Sequence, residues 1–145
     1  MPFEKEKKIY SRAASDVLIF NDRGEVLLTK RNIFPDKGKW VIPGGHVKLE
    51  SPEDGARREI FEETGFRVEL ERLYGVYSNL DNPISPSMTA VYVGRIVGGE
   101  ATKTIEVEEQ KFFALENLPK KKEFGFNHYQ VLLDFKKHSE GKPLS

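Results

Sequence analysis

The chain has 145 residues and no cysteine, and its 23 Lys and Arg balance 23 Asp and Glu. That length favours one domain over residues 1–145, burying roughly two-thirds of the unfolded surface. The composition excludes a disulfide scaffold, a thiolate nucleophile and a cysteine-based zinc site, and it argues against a nucleic-acid-binding surface. The N-terminal MPFEKEKKIYSRAASD is charged without an apolar run, and stretches such as Val17–Phe20 are too short to span a bilayer. A cytoplasmic protein without membrane contact is the expectation.

Residues 12–20 end in DVLIF, residues 25–30 read EVLLTK, and NDRG between them is a turn signal, so a hairpin is predicted. NIFPDKGK is a loop with Pro and Gly. WVIP is a short strand stopped by Pro43, after which Gly44 and Gly45 turn the chain. A helix over 52–63 follows. Ser51 suits its N-cap, Pro52 its first position, Glu53 and Asp54 the positive end of its dipole, and Gly65 its stop. Residues 67–78 and 87–97 read as strands flanking the loop DNPISP. GGEATK is a turn, QKFFAL a strand, ENLP a short turn or helix, and FNHYQVLLDFKKH a closing amphipathic helix. The expected class is α/β of the α+β type, with a mixed β-sheet sandwiched between helices.

The stretch GGHVKLESPEDGARREIFEETGF carries the chemistry. At 100° per residue, Glu62 lies at about −60° and Glu63 at about +40° from Glu59, so three carboxylates share one arc of about 100°. They crowd the end of a helix where the dipole disfavours anions. A solvated acidic face is the plain reading of three Glu alone. Two coincident penalties point instead to a positive partner, and hard oxygen ligands suit Mg²⁺ or Mn²⁺.

The spacing Gly44, Glu50, Arg58-Glu59-Ile60, Glu62-Glu63, Gly65-Phe66 reproduces G-x5-E-x7-R-E-U-x-E-E-x-G-U, with U an apolar residue. With WVIPGG before it and EEQKFFALENLP after it, the chain resembles the Nudix hydrolase family over residues 12–138. The loop PGGHVKLES is one residue shorter than in many members, and Lys48 stands where an acidic residue is common. The resemblance implies a Nudix fold with a loop–helix–loop catalytic motif and divalent-metal hydrolysis of a pyrophosphate bond. It implies Glu59 and Glu63 as principal metal ligands, Glu62 joining or flanking them, and the carbonyl of Gly44 or Gly45 facing the metal. Arg58 and Glu50 are expected to pair and fix the loop against the helix. Ile60 and Phe66 are expected in the core, with Trp40 beside the site. The general base is expected to be Glu63 or Glu109, with Glu106 or Glu108 as substitutes.

Arg31, at a strand end, and His46, after the glycine pair, are candidate phosphate contacts. Phe34 and Tyr77 are candidate stacking partners for a base. His128 is read as a surface or helix-face residue. YSNLDNPISPSMTAVYVGRIVGGE and FGFNHYQVLL resemble segments of ADP-ribose-hydrolysing members, which implies a nucleotide sugar such as ADP-ribose, giving AMP and ribose 5-phosphate. The alternatives are a nucleoside triphosphate or dinucleoside polyphosphate pyrophosphohydrolase and, in a different class, a non-hydrolytic nucleotide-sensing domain. The partner expected is a small-molecule nucleotide rather than nucleic acid or membrane, and a homodimer is one assembly the resemblance allows.

Overall fold

Alternation along the central strands sets the architecture of the computed structural model, which describes residues 10–81 and 86–139. In β1 (Arg12–Ile19), Val17 and Ile19 pack with Leu27, Ala56, Ile60 and Tyr92. Leu18, between them, packs on the other face with Leu28, Val91, Val93, Leu132 and Phe135. The same two-residue period divides β2 (Val26–Arg31) and β6 (Ser87–Gly99), so both faces of the strand layer are apolar and each needs a helix. Helix α1 (Pro52–Thr64) covers the first face and helix α2 (His128–Ser139) the second.

The remaining strands are β3 (Trp40–Val41), β4 (Gly44–His46), β5 (Phe66–Asn79) and β7 (Val107–Phe113). They form a four-stranded sheet in the order β4-β1-β6-β5 and a three-stranded sheet in the order β3-β2-β7. β1 and β6 run parallel, and the other pairs are antiparallel. The expected mixed sheet between helices is present, divided in two.

Two local expectations are corrected. The NDRG turn forms, with Gly24 N–H donating to Asn21 O at 3.0 Å, but no regular hairpin follows. A single Phe20–Val26 bridge closes it, after which β1 and β2 part into different sheets because each finds a longer partner elsewhere. Gly44 and Gly45 do not turn the chain but pair with Asp16 and Ser15 in β4. Phe66, expected in the core, is half-buried at its margin, whereas Ile60 and Trp40 are buried. Most of the DNPISP loop (residues 82–85) and most of the charged N-terminal stretch (residues 1–9) lie outside the described residues. Among the described residues, no helix is long and apolar enough to cross a membrane.

Candidate active site

Helix α1 is fixed at both ends by its own sequence. Ser51 Oγ accepts the Asp54 N–H at 3.1 Å, and Gly65, at φ 85°, donates its N–H to Phe61 O at 2.9 Å. Its last two turns face β4, whose Gly44 and Gly45 carry no side chains. A Cβ on Gly45 would stand 2.5 Å from Glu59 Oε2, and one on Gly44 would stand 2.1 Å from Asp16 Oδ1 and 2.2 Å from the Ser15 carbonyl. This glycine strip lets carboxylates of α1 reach past the sheet edge to a cavity on the α2 side.

At that edge Glu63 Oε1 accepts the Gly44 N–H at 3.1 Å. Burial pushes the Glu63 carboxyl well above its usual range, and nearby Glu59, Asp16 and Glu106 push the same way against the Gly44 bond. Glu59 is also pushed up by burial, opposed by Arg58.

Arg58 gathers the loop onto the helix. It donates to Glu50 (2.7 Å from Nη2, 3.0 Å from Nε), to Glu59 at 2.9 Å and to the His46 carbonyl at 3.1 Å. Its hydrogen bonds, with help from the Lys48 N–H, hold Glu50 down at about 2. Glu62 also pairs with Arg58, at 3.2 Å, and its side chain is half exposed. It therefore lies beside the carboxylate pair and does not line the cavity.

The cavity measures about 420 Å³, within the range of small-molecule sites. Glu59, Glu63, Gly44, Gly45, His46 and Lys48 line its acidic end. Arg31, Phe34, Phe126 and Asn127 line it as well. The Arg31 guanidinium lies 4.9 Å from the Phe126 ring centre, and its Nε donates to the Pro35 carbonyl at 2.6 Å. Burial lowers the Arg31 pKa, while Glu63, Asp36 and Glu106 act against that. Burial likewise lowers the His46 pKa.

Two sequence candidates lie elsewhere. Tyr77 is turned toward α2, where its hydroxyl donates to Asp134 at 3.0 Å. Glu109 is exposed on β7 opposite Lys30, outside the cavity, because the strand has begun by then and pairing fixes its direction. Glu106, just before β7, does line the cavity.

Two further residues were not singled out as site residues. Asp16, 7% exposed, and His128, also 7%, line the cavity floor with 3.2 Å between Oδ2 and Nε2. His128 is therefore a buried residue and not a surface one. Helical spacing held the signal, since His128, Val131, Leu132 and Phe135 fall at i, i+3, i+4 and i+7 on the buried face.

Among the described residues, no three carboxylate or imidazole side chains converge as a ready-made metal cage. Two carboxylates, Glu59 and Glu63, face the Gly44–Gly45 strip, and Arg58 binds one oxygen of Glu59 while its other donors hold Glu50. Such a set fits Mg²⁺ or Mn²⁺, which are held by one or two carboxylates with water and phosphate oxygens completing the shell.

The family model described as NUDIX domain matches residues 10–135. The chain is 35% identical over 135 residues to an ADP-ribose pyrophosphatase of Methanocaldococcus jannaschii, covering 92% of this chain and 78% of that protein. It is 43% identical over 72 residues to a MutT-like protein of Streptomyces ambofaciens, covering 49% of this chain but only 44% of the relative. Among solved structures, a MutT NUDIX hydrolase from Burkholderia pseudomallei superposes with a TM-score of 0.73 at 30% identity, over 86% of this chain and 98% of that one.

Proposed function

The chain belongs to the Nudix hydrolase family and is a pyrophosphohydrolase, and from that premise we propose that it hydrolyses a nucleoside diphosphate joined to a sugar. ADP-ribose is the leading substrate, cleaved by water to AMP and ribose 5-phosphate in the cytoplasm. One observation carries this choice. Arg31 lies on the Phe126 ring and within the field of Glu63 and Glu106, so a cation links an aromatic wall to an acidic end inside one cavity. A nucleoside diphosphate derivative calls for that combination: an aromatic wall for its planar base, a cation for its diphosphate, and an acidic centre for hydrolysis between the phosphorus atoms. The 35% identity to a protein named ADP-ribose pyrophosphatase supports the same reading.

In this proposal Glu59, Glu63 and the Gly44 carbonyl hold Mg²⁺ or Mn²⁺, which when bound neutralises phosphoryl oxygens and acidifies a water. Arg58 keeps Glu50 and Glu59 in place from behind, and Glu62 steadies Arg58. Arg31 and His46, both lining the cavity, meet the diphosphate. Phe34, 72% exposed at the rim, and Phe126 receive the base. The proton of the attacking water goes to Glu63 or Glu106, both carboxylates of the cavity. We assign these roles to one domain spanning the chain.

A panel assay with Mg²⁺ tests the proposal. ADP-ribose is expected to give AMP and ribose 5-phosphate faster than nucleoside triphosphates give monophosphate and pyrophosphate. Faster triphosphate or dinucleoside polyphosphate turnover would replace the substrate choice. Tight binding without turnover of any of them would favour a sensing domain.

A further inference from the structure

The cavity floor holds a polar connection that the proposed chemistry does not use. His128 Nδ1 accepts the Ile42 N–H at 2.8 Å, so that nitrogen carries no proton. The ring proton is then on Nε2, which faces Asp16 Oδ2 at 3.2 Å. The other Asp16 oxygen packs against Gly44, where a Cβ would come within 2.1 Å of it. Gly44 in turn donates its N–H to Glu63 at 3.1 Å. His128 opens α2 immediately after Phe126 and Asn127, and Ile42 stands two residues before Gly44.

A buried carboxylate and a buried imidazole are costly unless each has a polar neighbour, and here the two approach to 3.2 Å between β1 and α2, which both line the cavity. Holding the Ile42 N–H accounts for His128 Nδ1 but leaves the Asp16 carboxylate set against Nε2 unexplained. A task beyond packing is therefore the economical explanation. Resting on the reading of this cavity as a pyrophosphohydrolase site, we propose that His128 is a positioning residue: acting through Asp16, it holds the Gly44 peptide, and with it the Glu63 carboxylate, in register with the Phe126–Asn127 wall that receives the nucleotide.

Two isosteres divide its contacts. In His128→Asn the amide oxygen replaces Nδ1 and keeps the Ile42 bond, while the link to Asp16 is lost. In His128→Gln the amide N–H replaces Nε2 and keeps the link to Asp16. Kinetics with whichever pyrophosphate substrate the wild type cleaves fastest are expected to show kcat at least tenfold lower in His128→Asn, with KM within about threefold of wild type. His128→Gln is expected to recover most of that loss. Asp16→Ala alone should match His128→Asn, and the double variant should lose no more than either single change. Wild-type kcat in His128→Asn, or losses that multiply in the double variant, would overturn the proposal.

A second arm needs no turnover. In the metal-free protein, the ¹⁵N spectrum should show His128 protonated on Nε2, and the Gly44 amide resonance should move in His128→Asn but stay near its wild-type position in His128→Gln. An unmoved Gly44 resonance in His128→Asn would sink the connection even if the enzyme proved to cleave a different substrate. Absence of any hydrolysis by the wild type would instead sink the functional reading, leaving the spectrum to test the connection alone.

Discussion

Glu63 accepts the Gly44 N–H at 3.1 Å across a sheet edge, so a carboxylate of α1 is held by a backbone group of the strand opposite. Glu63→Gln should keep that bond through its amide oxygen and lose the charge. Turnover is expected to fall by about three orders of magnitude or more, in line with removing a metal-holding, proton-accepting group. The folded-state pKa of Glu63 is raised, so its contribution to stability is present below the unfolded value of 4.5 and is lost as pH rises through the folded one. At neutral pH the metal-free Gln variant should therefore melt at or above the wild-type temperature. Calorimetry without metal, set beside turnover with metal, checks both halves.

The two glycines of β4 should respond differently to alanine. A Cβ at position 44 meets the Ser15 backbone carbonyl at 2.2 Å, which cannot yield without parting β1 from β4. Gly44→Ala should destabilise the fold by about 1–3 kcal/mol, as overpacking does. The nearest atoms to a Cβ at position 45 belong to the Glu59 side chain, which can swing away. Gly45→Ala should fold normally and lose Mg²⁺ affinity, read by titration of Mg²⁺ into the protein without substrate.

Arg58 donates to three carboxylates and one carbonyl, which a single ammonium group cannot reproduce. Arg58→Lys should cost about 10- to 100-fold in kcat/KM, the range found for partners that orient metal ligands. An activity within twofold of wild type would show that Glu59 needs no help from it.

Glu50 provides the acid-side signature. Its pKa, lowered to about 2 by Arg58, contributes stability that is present above 4.5 and lost as pH falls toward 2. Urea unfolding of wild type and Glu50→Gln should differ at neutral pH and converge as pH drops through that window. A constant difference down to pH 2 would mean that the Arg58 pairing does not shift this group.

The choice between late carboxylates is also open to test. Glu106 lines the cavity and Glu109 does not. Glu106→Gln should lower kcat by about 10²-fold or more, the usual worth of a general base, whereas Glu109→Gln should behave as wild type.

Helix α1 and its carboxylates were legible because every signal was local: the Ser51 cap, the Gly65 stop and the spacing of Glu59, Glu62 and Glu63 all act within a few turns of one helix. The parting of β1 and β2 was not legible, since NDRG specifies a turn but not which sheet each strand joins afterwards. Glu62 and Glu109 show the same limit. The sequence lists carboxylates, and the direction of each depends on a partner from another element, Arg58 for one and the β2 pairing for the other. Asp16 was masked by its neighbours, a single acid in an apolar strand that only the fold brings to His128. The helical spacing of His128 with Val131, Leu132 and Phe135 was readable and would have placed it inside.

The most direct measurement is product analysis of ADP-ribose incubated with Mg²⁺ and either the wild-type protein or Glu63→Gln. Equal amounts of AMP and ribose 5-phosphate from the wild type, with near-complete loss in the variant, are the expected result. Wild-type levels of product from Glu63→Gln, or triphosphates cleaved far faster than ADP-ribose by the wild type, would contradict it.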